Sequence, residues 1–409
     1  MNLDAIVAED PAESDGDRPQ GRILFITSDD PELTASGSQV RTHCLYEAVK
    51  RLGEVTVFVP PRERKVTPWQ WFFRGLTKVG MAQGTVAPAK RGERFDAVVV
   101  RYARTAGEFA AWRYGPLYLD IDDLPSEAFE LEAARLPIWA RWFARLVVKA
   151  WQRWIFKKCA GCWVVKKEDA KWLPKGLRWE VLRNISLKKP SGTLQTSQPS
   201  HPTLLTVGLM SYWPNAEGVT WFLKAIWPPF HAQHPDWRFE IAGGGMGAEL
   251  KQLCAATSGV TALGFVDDLG AAYARASAVV APILTGAGSC VKVAESTLHG
   301  KVTLVTPQAI RGIESSDVEK LGFRVFDSAA AFAAAMESLI SLGQEGLASA
   351  EAQIRAMAQE YNSFEGFVEK VVGLRGRAGR VGLRISFSLR SSPKGTGATS
   401  NFSPVHFAL

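Results

Sequence analysis

The sequence predicts an α/β protein with two Rossmann-like domains, whose parallel sheets face each other across a cleft. Strand patterns alternate with helical patterns along both halves of the chain, and each half begins with a strand, a loop and a helix. A polar segment rich in Ser, Pro and Thr separates the two halves at residues 186–201 and reads as a linker. The chain of 409 residues is long enough for two domains, each with its own core.

The first half opens with the strand pattern RILFITS, a loop, and the helical pattern VRTHCLYEAVKRLG. Its later strand patterns are EVTVFVP, FDAVVVRY, PLYLDID, GCWVVKK and WEVLRNI. We therefore predict a first domain over residues 21–185, which follows a disordered, acidic N-terminus at residues 1–20.

The second half repeats the alternation. Its strand patterns are TLLTVG, WRFEIAGGG, VTALGFV, AVVAPIL and KVTLVT, and its first helical pattern is NAEGVTWFLKAIWPPFHAQ. We predict a second domain over residues 202–350, helices that pack back across the domains over 351–373, and a disordered basic tail over 374–409.

Charge and cysteine content exclude several classes of protein. Residues 374–409 hold six of the cations and no acid, so the remainder of a chain with net charge +7 is nearly neutral, and we expect no nucleic-acid partner. Five cysteines without framework spacing suit a reducing cytosol, although Cys159 and Cys162 form a C-x-x-C pair. Neither a signal peptide nor an apolar run of about 20 residues occurs. We expect a cytoplasmic protein, at most peripheral on the inner face of the plasma membrane.

A glycine-rich turn leads from the strand pattern AVVAPIL into a helix. Gly286 and Gly288 allow the backbone to approach a ligand closely, and Ser289 is placed to cap the helix. Lys292 in the first turn is unfavourable next to the helix N-terminus unless an anion binds there, and Glu295 follows at i+3. The pattern predicts a phosphate beside Lys292 and a ribose beside Glu295. The alternative is a solvated lysine paired with Glu295.

Taken together, these motifs resemble the group 1, or family four, retaining glycosyltransferases of the GT-B fold over residues 22–373. The stretches that carry the resemblance are SGSQVRT, LRNIS, LLTVGLMSYWPNAEGVTWFLKAIWP, FEIAGGG, VTALGFVDDL and VVAPILTGAGSCVKVAESTLHGKVTLVTPQAIRGIE. The resemblance implies transfer of a sugar from a UDP- or GDP-linked donor to a glycan or lipid-linked acceptor, in bacterial surface polysaccharide biosynthesis. It places Lys292 on the diphosphate and Glu295 on the ribose, and these two residues form the expected catalytic set.

The resemblance also implies where each substrate binds. The donor is expected on the second domain and the acceptor on the first, with no metal and no further cofactor. The expected donor-binding residues are Gly208, Ser211, Gly243, Gly244, Phe265, Val266, Gly286, Gly288, Ser289, Lys292 and Glu295. The expected acceptor-side residues are Gly37, Ser38 and Arg101.

The chain departs from the family pattern at several charged positions. Arg101 or Tyr102 stands where many members have a histidine. The other departures are Ala287, Cys290, Leu209 and Glu217. These departures leave open a degenerate GT-B protein that binds nucleotide or glycan without turnover.

Two further motifs suggest other chemistry. The DIDD segment offers Asp120, Asp122 and Asp123 as ligands for Mg²⁺. The IAGGGMGA segment has the glycine spacing of a dinucleotide site, and Asp267 and Asp268 follow at about the distance expected for NAD, so an NAD-dependent oxidoreductase is an alternative.

Residues 135–158 carry seven cations and no acid. The cations that recur every four residues are Arg141, Arg145, Lys149, Arg153 and Lys157, and the apolar residues predicted on the other side are Trp139, Phe143, Leu146, Ala150 and Trp154. This pattern predicts a basic amphipathic helix on an anionic membrane, with the aromatic stretch at 69–78 as a second patch. The alternative is a helix whose apolar side packs on the sheet.

Overall fold

The computed structural model describes residues 21–34, 36–60, 87–90, 92–133, 138–186, 201–286 and 290–376. Several predicted features lie outside these residues: the N-terminus, nearly all of the linker, the basic tail, the aromatic stretch at 69–78, and the turn residues Ala287, Gly288 and Ser289.

The first sheet contains six parallel strands in the order β2-β1-β3-β4-β5-β6. The strands are β1 Gly21–Ile26, β2 Gly53–Phe58, β3 Ala97–Arg101, β4 Leu117–Ile121, β5 Cys159–Val164 and β6 Arg178–Val181. The helices between them are α1 Gly37–Lys50, α2 Ala103–Glu108, α3 Pro125–Ala133 and α4 Ile138–Phe156, and short 3₁₀ turns occur at Ala111–Arg113 and Lys167–Trp172. Each connection crosses from one parallel strand to the next, as a doubly wound sheet requires.

Helices cover both faces of this sheet. Ile23 and Phe25 face one side and pack with Leu45 of α1, while Leu24 and Ile26 face the other and pack with α2 and α4. The period of two along β1 therefore buries every side chain in the strand core, which explains its continuous apolar pattern.

The second sheet has six parallel strands in the order β12-β11-β10-β7-β8-β9. The strands are β7 Thr203–Val207, β8 Arg238–Ala242, β9 Val260–Gly264, β10 Ala278–Ala281, β11 Thr303–Val305 and β12 Phe323–Val325. The helices are α5 Trp213–Trp221, α6 Trp227–Gln233, α7 Ala248–Ala256, α8 Leu269–Arg275, α9 Val291–Leu298, α10 Ser315–Val318 and α11 Ala329–Ser341. The first helical pattern of this half is not one helix, because a π-helical segment, Phe222–Ile226, separates α5 from α6 just before Pro228 and Pro229.

Two long helices complete the chain and contact both sheets. Helix α12 (Gly343–Tyr361) packs against α9 of the second domain, and Ile354 reaches its main core. Helix α13 (Phe364–Gly376) packs against α1, β5 and β6 of the first domain, where Phe367 and Val371 are buried. The chain thus returns to the first domain after Tyr361.

Within the described part of the chain, no helix combines the length and the apolar content that a bilayer-spanning segment needs.

Candidate active site

The centre of the candidate site is the start of α9. The helix begins at Val291 with Cys290 as its N-cap, one residue later than the cap expected at Ser289, and no side chain of the described residues caps it. It follows β10, so its N-terminus lies at the carboxyl edge of the second sheet, where open α/β sheets bind ligands. Lys292 and Glu295 both belong to this helix, and Glu295 is buried.

The ammonium group of Lys292 lies over the loop that follows β7. Its Nζ donates to Asn215 Oδ1 at 2.7 Å. Burial lowers the pKa of Lys292 below that of an ordinary lysine, because a low-dielectric site disfavours the charged form. No carboxylate of the described residues forms an ion pair with it. Lys292 is therefore a cation beside a helix N-terminus whose hydrogen-bond partner is neutral, a combination that suits an anion.

Two glycines allow the strand ends to meet beneath this lysine. Gly208 has φ +158°, and a β-carbon there would lie 2.7 Å from Lys292 Nζ. Gly243 has φ +153°, and a β-carbon there would lie 1.7 Å from the Gly208 carbonyl oxygen. A side chain at either position would collide with the site, so both predicted donor residues are needed as glycines.

The other predicted donor residues surround the same edge. Gly244 accepts a backbone hydrogen bond from Met210 at 2.8 Å, which ties the loop after β8 to the loop after β7. Ser211 is exposed on the second of these loops, and Phe265, which is 79% exposed, and Val266 follow β9. The structure thus brings these side chains to one edge of the sheet, and it leaves a large aromatic ring without packing there.

The sequence analysis did not predict three side chains that lie at this site. Asn215 holds Lys292, as described above, and Arg311 donates to the Gly286 carbonyl oxygen at 2.6 Å. Gln308 donates to the same oxygen at 3.0 Å. Arg311 thus adds a second cation near the glycine turn. The quoted motifs SYWPN and PQAIRGIE contain these residues, but nothing in the local pattern shows that they meet the turn.

The acceptor-side loop of the first domain approaches α9 directly. A β-carbon on Gly37 would lie 3.0 Å from the Val291 side chain, so the start of α1 faces the start of α9 across the cleft. Helix α1 is fixed there by a capping box between Ser36 and Gln39. Ser38 Oγ donates to Asp29 at 2.5 Å and lies 3.0 Å from the Tyr102 hydroxyl oxygen.

Arg101 lies beneath the cleft surface rather than on it. It is fully buried, and its guanidinium donates to the Ser38 carbonyl oxygen at 2.6 Å, to Thr42 at 2.6 Å and to Asp122 at 2.7 Å. These bonds leave Arg101 to position Ser38, and direct contact with an acceptor is not available to it in this arrangement. Its neighbour Tyr102 has φ +69°, a strained conformation for a residue with a side chain.

The aspartates of the DIDD segment do not form a metal site. Asp120 is bound by Arg41 at 2.9 Å and by Arg101 at 3.2 Å, and Asp122 accepts from Arg101 and Asn184. In the described part of the chain, no group of three His, Cys, Asp or Glu residues could hold a metal ion. The arginines already occupy the carboxylate oxygens that Mg²⁺ would need. The absence of a cofactor requirement stays a prediction.

Asp123 and Tyr212 approach each other across the cleft. Burial and then the nearby charge of Asp122 raise the pKa of Asp123 to about 7. Burial and then the charge of Asp123 raise the pKa of Tyr212 in the second domain. The Asp123 carboxyl group of the first domain and the Tyr212 hydroxyl group of the second therefore lie close enough for the charge of one to act on the other.

The second domain matches a protein family. Residues 201–342 match the family described as Glycosyl transferases group 1. The match assigns residues 201–342, rather than the whole chain, to this family. The match covers the turn at Gly286, Lys292 and Glu295, and no curated protein matches the chain in sequence.

Solved structures with the same architecture align with most of this chain. Sucrose-phosphate synthase from Thermosynechococcus elongatus is 17% identical, with a TM-score of 0.66, and the match covers 88% of this chain and 99% of that one. WaaG, described as a glycosyltransferase involved in lipopolysaccharide biosynthesis, is 13% identical, with a TM-score of 0.59 and coverage of 86% and 100%. A trehalose-6-phosphate synthase, from a study of glycosyltransfer with retention, is 10% identical, with a TM-score of 0.56 and coverage of 86% and 99%.

These findings confirm the predicted GT-B fold and the predicted enzyme class. The glycosyltransferase has two sheets of six parallel strands with the candidate site at the carboxyl edge of the second. The dinucleotide interpretation of IAGGGMGA is therefore set aside, because the segment belongs to the matched family domain and its glycines pack against the Gly208 loop.

Proposed function

We propose that this glycosyltransferase moves a sugar from a UDP- or GDP-linked donor to a glycan or lipid-linked acceptor, with retention of configuration, in bacterial surface polysaccharide biosynthesis. The observation that carries the proposal is the placement of Lys292, a partly buried cation at a helix start that is hydrogen-bonded to a neutral amide over the Gly208 turn. A diphosphate satisfies both the lysine and the open N–H groups of α9. Retention and the polysaccharide setting are supported by the family resemblance alone.

The transfer reaction needs no reactant other than the donor and the acceptor. The acceptor hydroxyl oxygen bonds to the anomeric carbon, the bond from that carbon to the diphosphate oxygen breaks, and the hydroxyl proton passes to the leaving diphosphate. The protein then has to stabilise charge on the diphosphate and hold the sugar in position, which are large terms in enzyme catalysis. In this proposal, Lys292 and the start of α9 stabilise the charge on the diphosphate. Glu295 orients the ribose.

A thermal-shift screen with UDP, GDP and their sugars tests this function, followed by donor hydrolysis and transfer assays with the best binder. A ligand that binds only the folded protein raises its melting temperature. Stabilisation by one nucleotide series, with turnover of its sugar, is the expected result. Binding without hydrolysis or transfer favours the degenerate protein that the family departures leave open, and no stabilisation by any nucleotide contradicts the proposal.

The proposal includes contact with an anionic membrane through residues 135–158, where a lipid-linked acceptor would lie. Helix α4 packs on the domain through Ala144, Val148 and Ile155. The apolar side chains Trp142 and Phe143 are 66% and 61% exposed. The alternative, a helix whose apolar side packs on the sheet, describes Ala144, Val148, Ile155 and Phe156, but it leaves the exposed Trp142 and Phe143 without a role.

Cations are interleaved with these exposed apolar residues. Lys149 and Arg153 are exposed, while Arg145 pairs with Glu130 at 2.7 Å. Lys158 lies over the Trp154 ring at 5.4 Å, which keeps its charge beside an apolar surface. A face that combines aromatic side chains with cations is complementary to anionic headgroups and the acyl boundary below them.

Co-sedimentation with phosphatidylglycerol vesicles at low salt tests the contact. The triple variant W142S/F143S/L146S should bind at least about tenfold more weakly than the wild type, because each side chain contributes apolar burial. The matched control V325S/L342S removes exposed apolar residues from the second domain and should bind normally. Equal binding of the wild type and the triple variant would remove the membrane contact through this face, and equal binding to phosphatidylcholine would remove the role of the cations.

A further inference from the structure

Asn215 has both ends of its side-chain amide engaged. Its Oδ1 accepts from Lys292 at 2.7 Å, and its Nδ2 donates to the Leu209 carbonyl oxygen at 2.9 Å. The second bond sets the orientation of the amide, since a flipped side chain would place two donors against the lysine and an oxygen against a carbonyl. Asn215 is also buried, so neither bond competes freely with water.

The local backbone explains why Asn215 reaches Lys292. Helix α5 begins after Tyr212 with Pro214 in its first turn, and the Asn215 N–H donates to the Tyr212 carbonyl oxygen at 3.0 Å. A β-carbon on Gly208 would lie 2.9 Å from Asn215 Nδ2 and 2.7 Å from Lys292 Nζ. The absence of a side chain at Gly208 therefore creates the space in which the amide and the ammonium meet.

An amide differs from a carboxylate at this position in one decisive respect. A carboxylate would pair with Lys292 and cancel its charge, whereas a carbonyl oxygen holds the ammonium and leaves the charge for a ligand. The titratable groups whose charges act on Lys292 are Cys290 and Glu295, and Tyr273 of α8 faces Glu295 from the neighbouring element.

We propose that Asn215 is a positioning residue that fixes the Lys292 ammonium over the Gly208 turn for the donor diphosphate without neutralising it. This inference rests on the proposed function. It predicts that Asn215 acts on the diphosphate only through Lys292, so that the two residues are energetically coupled.

Calorimetric titration with inorganic pyrophosphate tests the coupling without knowledge of the base or the sugar. N215A should bind about tenfold more weakly than the wild type, and K292A about a hundredfold more weakly. The double variant should bind no worse than K292A, because Asn215 has nothing left to position. N362A removes another buried asparagine, at the end of α12, and should bind as the wild type does.

N215D keeps the shape of the side chain and separates positioning from folding. Its carboxylate should weaken pyrophosphate binding at pH 7.5 and move the alkaline loss of binding to higher pH, because it raises the pKa of Lys292. A purely structural role for Asn215 would not move this pH profile. Melting temperatures of all variants show whether each is folded.

The outcomes distinguish this inference from the proposed function. If K292A weakens pyrophosphate binding while N215A and N215D bind like the wild type, Asn215 does not position the lysine and the proposed function stands. If K292A itself binds like the wild type, the diphosphate assignment fails. If N215A does not fold, the test depends on N215D. Unchanged pyrophosphate binding by N215D at pH 7.5 would then overturn the inference.

Discussion

Arg41 of α1 and Arg101 at the end of β3 have carboxylates as partners, whereas Lys292 at the edge of the second sheet is held by an amide. Asp120 accepts from both arginines, and Asp122 accepts from Arg101, so the positive charges there are matched by negative ones. Lys292 has no such partner among the described residues. A buried cation with a matched charge serves the fold, and under the proposed function the cation with a neutral partner is kept for the donor diphosphate.

The largest effect is expected from breaking the matched charges. D120A leaves two buried guanidinium groups without their shared carboxylate and should lower the free energy of unfolding by about 3–5 kcal/mol. Urea denaturation measures the change. E47A, which removes the partner of exposed Lys50, is the matched control and should cost less than about 1 kcal/mol. A D120A midpoint equal to that of the wild type would contradict the structural role.

Removing the unmatched cation should instead damage activity. K292A should lower kcat/KM about a hundredfold, or about 3 kcal/mol, because Lys292 is the cation that the proposed function places on the leaving diphosphate. Its melting temperature should not fall. K301A is the control, since Lys301 is a buried lysine of the same domain but pairs with Glu351 at 2.6 Å. That variant should lose stability and keep turnover, and wild-type turnover in K292A would refute the assignment.

Glu295 should affect donor binding more than the chemical step. E295Q should raise the KM for the nucleotide sugar about tenfold, or about 1.4 kcal/mol, because a charged acceptor for the ribose hydroxyls becomes a neutral one. Steady-state kinetics with the donor as the varied substrate measure this change, and kcat should move little. An unchanged KM would count against the ribose role.

The smallest expected effect concerns the pH dependence of stability. The folded pKa of Asp123, about 7, lies above the ordinary value for an unfolded aspartate, about 3.9. The folded state therefore binds more protons between these values, and stability falls as the pH rises through this window. D123N has no such titration. Its melting temperature should exceed that of the wild type by a larger margin at pH 8 than at pH 4. A constant difference across the pH range would show that Asp123 titrates normally.

Much of the fold could be predicted because its signals are local. The continuous apolar pattern at residues 23–26 predicted a strand buried on both faces. The first helix ends before Gly53, as the glycine predicted. The π-helical segment at Phe222–Ile226 was not predicted, since the effect of Pro228 on the preceding turn depends on how that helix packs.

The candidate site was predictable in part for the same reason. Lys292 and Glu295 are separated by three positions on one helix, so their proximity follows from helical periodicity. Asn215 is 77 positions from Lys292, and Arg41 is 79 positions from Asp120, so both pairings depend on the order of strands in each sheet. The prediction of Arg101 as an acceptor-side residue missed its burial for the same reason.

The sequence by itself determined that the chain forms two parallel-sheet domains and that a glycine turn leads into a helix bearing Lys292 and Glu295, because periodicity and turn chemistry act over a few residues. Only the tertiary structure decided which cations have charged partners and which side of α4 is exposed. Those properties depend on contacts between segments that are distant in the chain, and no local pattern records them.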